Sequence, residues 1–303
     1  MTQRELDISI CIANYNGGEV LGPCLASVFG QETTACFEVL VHDDASTDGQ
    51  FDRIVAGFPE AAVLKTSSNI GYCQSNHRMA DLAKGRLLLL LNNDVELMPG
   101  ALETLWRGAQ RFPDAVLSLA EYTVDGALSC RGMGLDIFFT PFHCRDPAHK
   151  AIYAMGACLL LQRDLWQRLG GYPRDFEYSG EDLYLCLAAR AAGSEVRILG
   201  EGGYRHRISH STNSDGINPR RRAYSERNRA FILRHMLPTG ERLLITPLFY
   251  LMFCLERAWL RHRFGARANV EIPALKPRVE PQVPLLGQLA LRPSKLLHLR
   301  SER

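Results

Sequence analysis

Polar side chains gather at three points in this chain where short apolar runs stop: Asn14-Tyr15-Asn16-Gly17-Gly18, Asp43-Asp44-Ala45-Ser46-Thr47-Asp48-Gly49, and Asn92-Asn93-Asp94. Each by itself also reads as turn and helix-cap chemistry. The adjacent carboxylates at 43 and 44 are harder to explain as caps, because like charges oppose each other's ionisation unless a hydroxyl, a base edge or a cation offsets them. Oxygen-rich groups with no nearby cysteine or paired histidine suit a polar ligand and a divalent metal, Mg2+ or Mn2+, which keeps waters and bridges to phosphates. Neither GxxxxGK[ST] nor GxGxxG follows the first apolar run, which argues against a P-loop enzyme or a dinucleotide dehydrogenase. Phosphates must then be held by metal and side chains.

Such groups need a frame. From residue 6 to about 119, short β-rich runs (6–13, 37–42, 62–66, 86–92, 115–120) alternate with helical stretches (19–29, 50–57, 72–83, 99–111). That is the pattern of an α/β fold with a parallel sheet, whose ligands bind beyond the C-terminal strand ends. The five leucines 87–91, ending at Asn92, read as a central strand buried on both faces. Residues 121–152 lack a clear period and predict an irregular insertion or small antiparallel segments. A strand at 155–162 and helices at 164–169, 181–192, 219–236 and 240–263 follow, then a proline-rich tail.

Composition narrows the class. With 303 residues, 46% hydrophobic and 22% charged, the chain is long and apolar enough for a globular core, which excludes disorder, collagen and coiled coil. Nine scattered cysteines without CxxC pairs argue against zinc or disulfide frameworks and for a cytosolic compartment. The N-terminus carries no apolar signal region, and no segment reaches the ~20 apolar residues of a spanning helix, so neither export nor a membrane span is expected. Net charge is +2, yet residues 1–218 hold 18 basic and 27 acidic side chains, and 219–303 hold 17 and 6.

The order and spacing of several segments carry a resemblance. SICIANYNGGEVLGPCLASVFGQ, FEVLVHDDASTDG, SNIGYCQSN and LLLLNNDVELMPGAL, followed by MGACLLLQRDLWQRLGGYPRDFEYSGEDLYLCLAARAAG, RHRISHST and YSERNRAFILRH, resemble the family-2 glycosyltransferases of the GT-A fold. The likeness covers about residues 6–236 and is nearest to bacterial rhamnosyltransferase-like enzymes of surface polysaccharide synthesis. It implies a GT-A catalytic domain over 1–218, with a donor-binding half at 1–120 and an acceptor-binding half at 121–218. A basic helical extension with a proline-rich tail then occupies 219–303. The resemblance implies that Ala13 and Tyr15 line a base pocket, that Asp44 takes hydrogen bonds from base or ribose, and that Asn69 and Asn76 stand near the donor. Asn92-Asn93-Asp94 falls at the family's DxD position, with Asn93 near the ribose and Asp94 ligating the metal. The two asparagines depart from the acidic form of that motif, so metal affinity is expected to be weakened.

Sugar transfer with inversion needs a base for the acceptor hydroxyl and a cation for the departing diphosphate. The resemblance places the base at Asp182, with Glu181 beside it on the acceptor side. Both open a predicted helix, where the dipole and free amides favour carboxylates, so a plain helix start also explains them. His206 or His210, in Arg205-His206-Arg207-Ile208-Ser209-His210, could ligate the metal or contact the diphosphate, and His206 is the preferred of the two. Arg205 and Arg207 could neutralise the leaving diphosphate. Residues 139–142 and Trp166 are candidates for an acceptor pocket, although Trp166 fits the core better.

The expected partners are therefore a nucleotide-diphosphate sugar, of deoxythymidine or uridine type, and a saccharide or lipid-linked acceptor. Residues 240–263 join Leu, Phe, Tyr and Trp with Arg257, Arg261, His262 and Arg263. They read equally as a helix lying on an anionic membrane and as one packed on the catalytic domain or a dimer partner. Nucleic-acid binding is not expected. The protein is read as cytoplasmic, with a peripheral place at the inner face of the cell membrane. Two other functions compete: a sugar nucleotidyltransferase, against which the lack of a basic residue in 14–18 counts, and a catalytically silent nucleotide-sugar-binding subunit.

Overall fold

A computed structural model describes residues 5–146, 150–177, 179–207, 219–264 and 272–289. In chain order its elements are β1 (Ile8–Asn14), α1 (Leu21–Phe29), β2 (Phe37–Asp43), α2 (Phe51–Val55), β3 (Ala62–Lys65), α3 (Tyr72–Leu82), β4 (Leu87–Asn92) and β5 (Val95–Leu97). Next come α4 (Ala101–Arg111), β6 (Val116–Ser118), β7 (Glu121–Tyr122), β8 (Leu128–Cys130), β9 (Met133–Leu135) and β10 (Pro141–His143). The chain continues through β11 (Cys158–Gln162), α5 (Arg163–Leu169), α6 (Glu181–Ala191), β12 (Val196–Ile198), β13 (Tyr204–His206), α7 (Pro219–Met236) and α8 (Thr239–Phe264).

The main sheet has the order β12-β6-β11-β4-β1-β2-β3. It is parallel except for β11, which runs antiparallel to both β4 and β6. The leucine run forms its centre, and strand alternation divides the run between two cores. Leu88 and Leu90 join Cys11, Leu159 and Leu161 under α3, α5, α6, α7 and α8, whereas Leu87, Leu89 and Leu91 join Ile8, Ile10, Ile12 and Leu160 under α1, α2 and α4. An apolar side chain at each of residues 87–91 is what a strand covered on both faces requires.

A smaller four-stranded sheet, β5-β13-β7-β8, stands beside the main one. It arises where the expected strand at 115–120 stops short: β6 ends at Ser118, and the chain then crosses over to form β7 at Glu121. The region 121–152 is indeed made of short antiparallel pieces. Trp166 is buried, packed against His77 and Tyr172. Residues 139–142 also lie away from the cleft described below: Phe139 is in the core, and Phe142 covers Gly134. The aromatic acceptor wall expected there is therefore replaced by a packing role.

Residues 219–289 share a core with the sheet. Phe231, Ile232, Met236, Ile245 and Phe249 of α7 and α8, with Val283 and Leu285 of the following segment, are buried in the same cluster as α6. Pro247 lies inside α8. There its missing N–H leaves the Leu243 carbonyl without its usual helical donor, which costs least on a solvent-facing side.

Candidate active site

β1, β2 and β4 are parallel and in register, with Ala13 opposite both His42 and Asn92 and Asn14 opposite Asp43. Their polar ends therefore meet on one edge. Asn14 ties them together. Its amide donates to Asp43 Oδ1 at 3.1 Å and to Ser46 Oγ at 3.2 Å, while its Oδ1 accepts from Asn93 Nδ2 at 2.8 Å. Asp43 also accepts from Ser46 Oγ at 2.6 Å, so this carboxylate is occupied in holding the loop. Asp44 accepts from the amides of Ile70 and Gly71 at 2.7 and 2.8 Å and from Thr66 Oγ1 at 3.2 Å, fixing the segment that leads into α3.

A cavity of about 670 Å³ opens above these strand ends, lined by Ala13, Tyr15, Asp44, Asn69 and Asn93 among others. Tyr15 and Asn69 are exposed at its rim, where a planar ligand could reach them. Asn76 is elsewhere: it is buried inside α3 and donates to the Tyr72 carbonyl at 2.9 Å, a helix-core role.

The small sheet delivers the next groups. β5 continues directly from Asp94 and pairs with β13 so that His206 lies opposite Val95, while β13 also pairs with β7. His206 Nε2 is 3.1 Å from Asp94 Oδ1, and its Nδ1 is 3.1 Å from Glu121 Oε2. Ser129 Oγ donates to the other Glu121 oxygen at 2.6 Å. Burial opposes charge on His206, but its hydrogen bonds to Asp94 and Glu121 prevail and raise its pKa to about 9. Cys130 and His143 lie close to Glu121 as well. The oxygens of Glu121 are already taken by Ser129 and His206, which makes it the support of the histidine. Glu121 escaped the sequence reading although it follows the apolar run 115–120, the same signal that drew attention to Asp44 and Asp94. His210 lies outside the described residues.

α6 brings the last pair. Ser179 and Gly180 both have positive φ, +62° and +89°, and turn the chain so that Glu181 and Asp182 open the helix. Asp182 Oδ2 accepts from Gly156 N at 3.0 Å and Oδ1 from Leu183 N at 2.7 Å. Burial raises the Asp182 pKa, and burial plus the Asp182 charge pushes Glu181 up to about 8. Near neutral pH Glu181 therefore carries a proton. A second cavity, of about 420 Å³, is lined by Asn93, Asp94, Glu181, Asp182 and His206. Ala13, Tyr72, Asn93, Glu177 and Arg221 belong to both cavities, which form one cleft. Arg205 and Arg207 are not among the cleft-lining residues; Arg207 pairs with Glu96 instead.

The model of the glycosyl transferase family 2 matches residues 9–170, more than half of the chain. The chain belongs to glycosyl transferase family 2. Over 241 residues the chain is 26% identical to the N-acetylglucosaminyl-diphospho-decaprenol L-rhamnosyltransferase of Mycobacterium tuberculosis, covering 69% of this chain and 78% of that one. It is 26% identical over 229 residues to the O-antigen biosynthesis protein RfbC of Myxococcus xanthus, covering 69% of this chain. It is also 33% identical over 113 residues, 37% of this chain, to an uncharacterized M. tuberculosis protein. The chain spans only 18% of RfbC and 34% of the uncharacterized protein. Its fold is that of S. aureus TarS residues 1–349 in complex with UDP-GlcNAc (TM-score 0.61, 18% identity, 86% of this chain and 76% of that one). It is shared by a mannosyltransferase from Pyrobaculum calidifontis in complex with GDP-Man and Mn2+ (TM-score 0.59, 17% identity, 89% and 77%). The chain thus has the GT-A architecture.

The donor set of this cleft fits a divalent metal. Asp94 Oδ1 and His206 Nε2 face one cavity, and a metal held between them would take the place of the proton they now share. An oxygen and an imidazole nitrogen suit Mn2+ at least as well as Mg2+.

Proposed function

We propose that the protein is an inverting glycosyltransferase. It moves a hexosyl or deoxyhexosyl group from a deoxythymidine- or uridine-diphosphate sugar to a hydroxyl of a saccharide, free or lipid-linked, in bacterial surface polysaccharide synthesis. The observation that carries this reading is the meeting of Asp94, His206 and Asp182 in one cleft, although they are far apart in sequence.

Asp182 is the base. Its oxygens accept from the Gly156 and Leu183 amides, which fixes the carboxylate, and it removes the proton of the acceptor hydroxyl as that oxygen attacks the anomeric carbon. Glu181, protonated at neutral pH, is a neutral neighbour able to donate to an acceptor hydroxyl. Asp94 and His206 would hold the metal, which when bound stabilises negative charge developing on the leaving diphosphate. Tyr15, Asp44, Asn69 and Asn93 bind the nucleoside, Tyr15 with its ring against the base. Arg221, at the junction of the two halves of the cleft, adds positive charge beside the diphosphate.

The relatives support the choice of acceptor: the rhamnosyltransferase is named for a diphospho-decaprenol saccharide, and RfbC for O-antigen biosynthesis. A lipid-linked acceptor puts the protein at the inner face of the cell membrane. A panel of nucleotide sugars with Mn2+, read by thermal shift, tests the donor, since ligand bound only by the native state raises its stability. Stabilisation by deoxythymidine- or uridine-linked sugars is expected. Stabilisation by purine-linked sugars alone would overturn that assignment.

A further inference from the structure

We infer that the outer face of α8, together with the groove between α7 and α8, is a docking surface for an anionic phospholipid bilayer. This deepens the membrane placement proposed above and rests on that placement, not on the chemistry of the cleft.

Helical periodicity separates two faces of α8. Ile245, Phe249, Met252 and Glu256 point inward and are buried. On the opposite side Leu243, Leu244, Leu251 and Leu255 are 70%, 60%, 54% and 54% exposed. Pro247, Tyr250, Cys254 and Ala258 lie in the same exposed stripe, which carries no charged side chain from 243 to 258. A solvated helix of a globular protein places its charges on that face. Large apolar residues scattered singly need no explanation, but a contiguous row marks an interaction site. No helix among the described residues is long and apolar enough to cross a membrane, so a surface contact is the geometry available.

Charge chooses the occupant. The stripe runs C-terminally into Arg261 and His262, both exposed, with Arg257 on its flank. At its N-terminal end a groove of about 410 Å³ is lined by Leu233, Arg234, Arg242, Leu243, Pro247 and Tyr250. Arg242 donates to the Arg234 carbonyl at 2.8 Å and Arg234 to the Tyr250 hydroxyl at 3.4 Å, so two guanidinium groups stand at the edge of an apolar furrow. That pairing suits a lipid phosphate with its acyl chain alongside. A self-complementary dimer would instead bring these arginines towards their own copies.

Flotation of the full chain with phosphatidylcholine vesicles, with and without phosphatidylglycerol, tests the inference. Binding to the anionic vesicles, weakened by salt, is expected. The double substitution Leu251→Glu/Leu255→Glu should lower it about tenfold or more, and Arg257→Gln/Arg261→Gln should do so by a similar factor. Both variants should keep the native melting temperature and donor-induced thermal shift. Failure to bind anionic vesicles overturns the inference, as does binding that neither variant reduces. A concentration-dependent dimer abolished by Leu251→Glu would assign the face to a second copy. A large drop in melting temperature on that substitution would assign it to the chain's own residues. In each case a retained donor shift leaves the glycosyltransferase reading standing.

Discussion

The side-chain amide of Asn228 donates to the Ser179 carbonyl at 2.6 Å, joining α7 to the turn that presents Asp182. Asn228 is fully buried, and its Cβ lies 3.3 Å from where a Gly180 Cβ would stand. The basic helix after residue 218 thus takes part in the geometry of the candidate active site. Replacing Asn228 by Ala leaves the Ser179 carbonyl without this donor and loosens a pair of left-handed residues. The expected result is a stability loss of about 1–3 kcal/mol and a fall in kcat of about tenfold or more with donor KM unchanged. Chemical denaturation and steady-state kinetics on the same variant check both.

Glu181 governs the pH response. Its carboxyl, pushed up to about 8 by burial and by Asp182, is neutral at pH 7. As pH rises through about 8 it ionises and sets a second negative charge beside the base and the donor diphosphate. The charged groups around it from other elements are Asp94, Glu177, His206 and Arg221, which line the same cavity. Tyr72, Cys73 and Tyr172 have their pKa values raised by burial and stay neutral. The rate should therefore fall on the alkaline side near pH 8, and Glu181→Gln should remove that limb. Stability has the same sign. The folded state holds a proton that the unfolded state releases in the ordinary glutamate range, so stability declines from there up to about pH 8. The melting temperature of Glu181→Gln should be flatter across that window.

Glu121 should tune the metal without touching it. It accepts from Ser129 and faces the His206 ring nitrogen opposite Asp94, the arrangement that orients a metal-ligating imidazole. Glu121→Gln is expected to weaken Mn2+ affinity roughly 10- to 100-fold. Asp94→Asn, which removes the charged ligand, should abolish metal-dependent turnover. Calorimetric titration of Mn2+ in the presence of nucleoside diphosphate measures the first, and activity after chelation and re-addition of metal measures the second.

Asn14 is a structural hub of the donor half. Asn14→Ala strips partners from Asp43 and Asn93 at once and should cost about 2 kcal/mol, with donor binding weakened alongside. Denaturant melts and donor-induced thermal shifts check the two effects.

Much of this was legible in the residues. Polar ends on β1, β2 and β4 announced the cleft because a parallel sheet with short connections must put them on one edge. The leucine run of β4 announced the centre because both of its faces are covered. The small sheet was not legible: β5, β7 and β13 are three residues long or shorter, and so carry too little period to register, yet their pairing is what sets His206 against Asp94. Glu121 sits in the short β7, although the apolar run before it ends as those before Asp44 and Asp94 do. Asn228 was hidden because a long-range contact to a loop carbonyl leaves no periodic trace. The outer face of α8 was half legible. Its apolar and basic residues were plain, but which of them face outward depends on how α7 and α8 pack.

The most direct test of the account is Asp182→Asn, assayed for release of nucleoside diphosphate with acceptor present and for donor affinity by calorimetry. The substitution keeps shape and the amide contacts of one oxygen while removing the base. Turnover should fall by about 10²- to 10⁴-fold with donor affinity preserved. Turnover at the native rate would contradict the account, because the acceptor proton would then leave by another route.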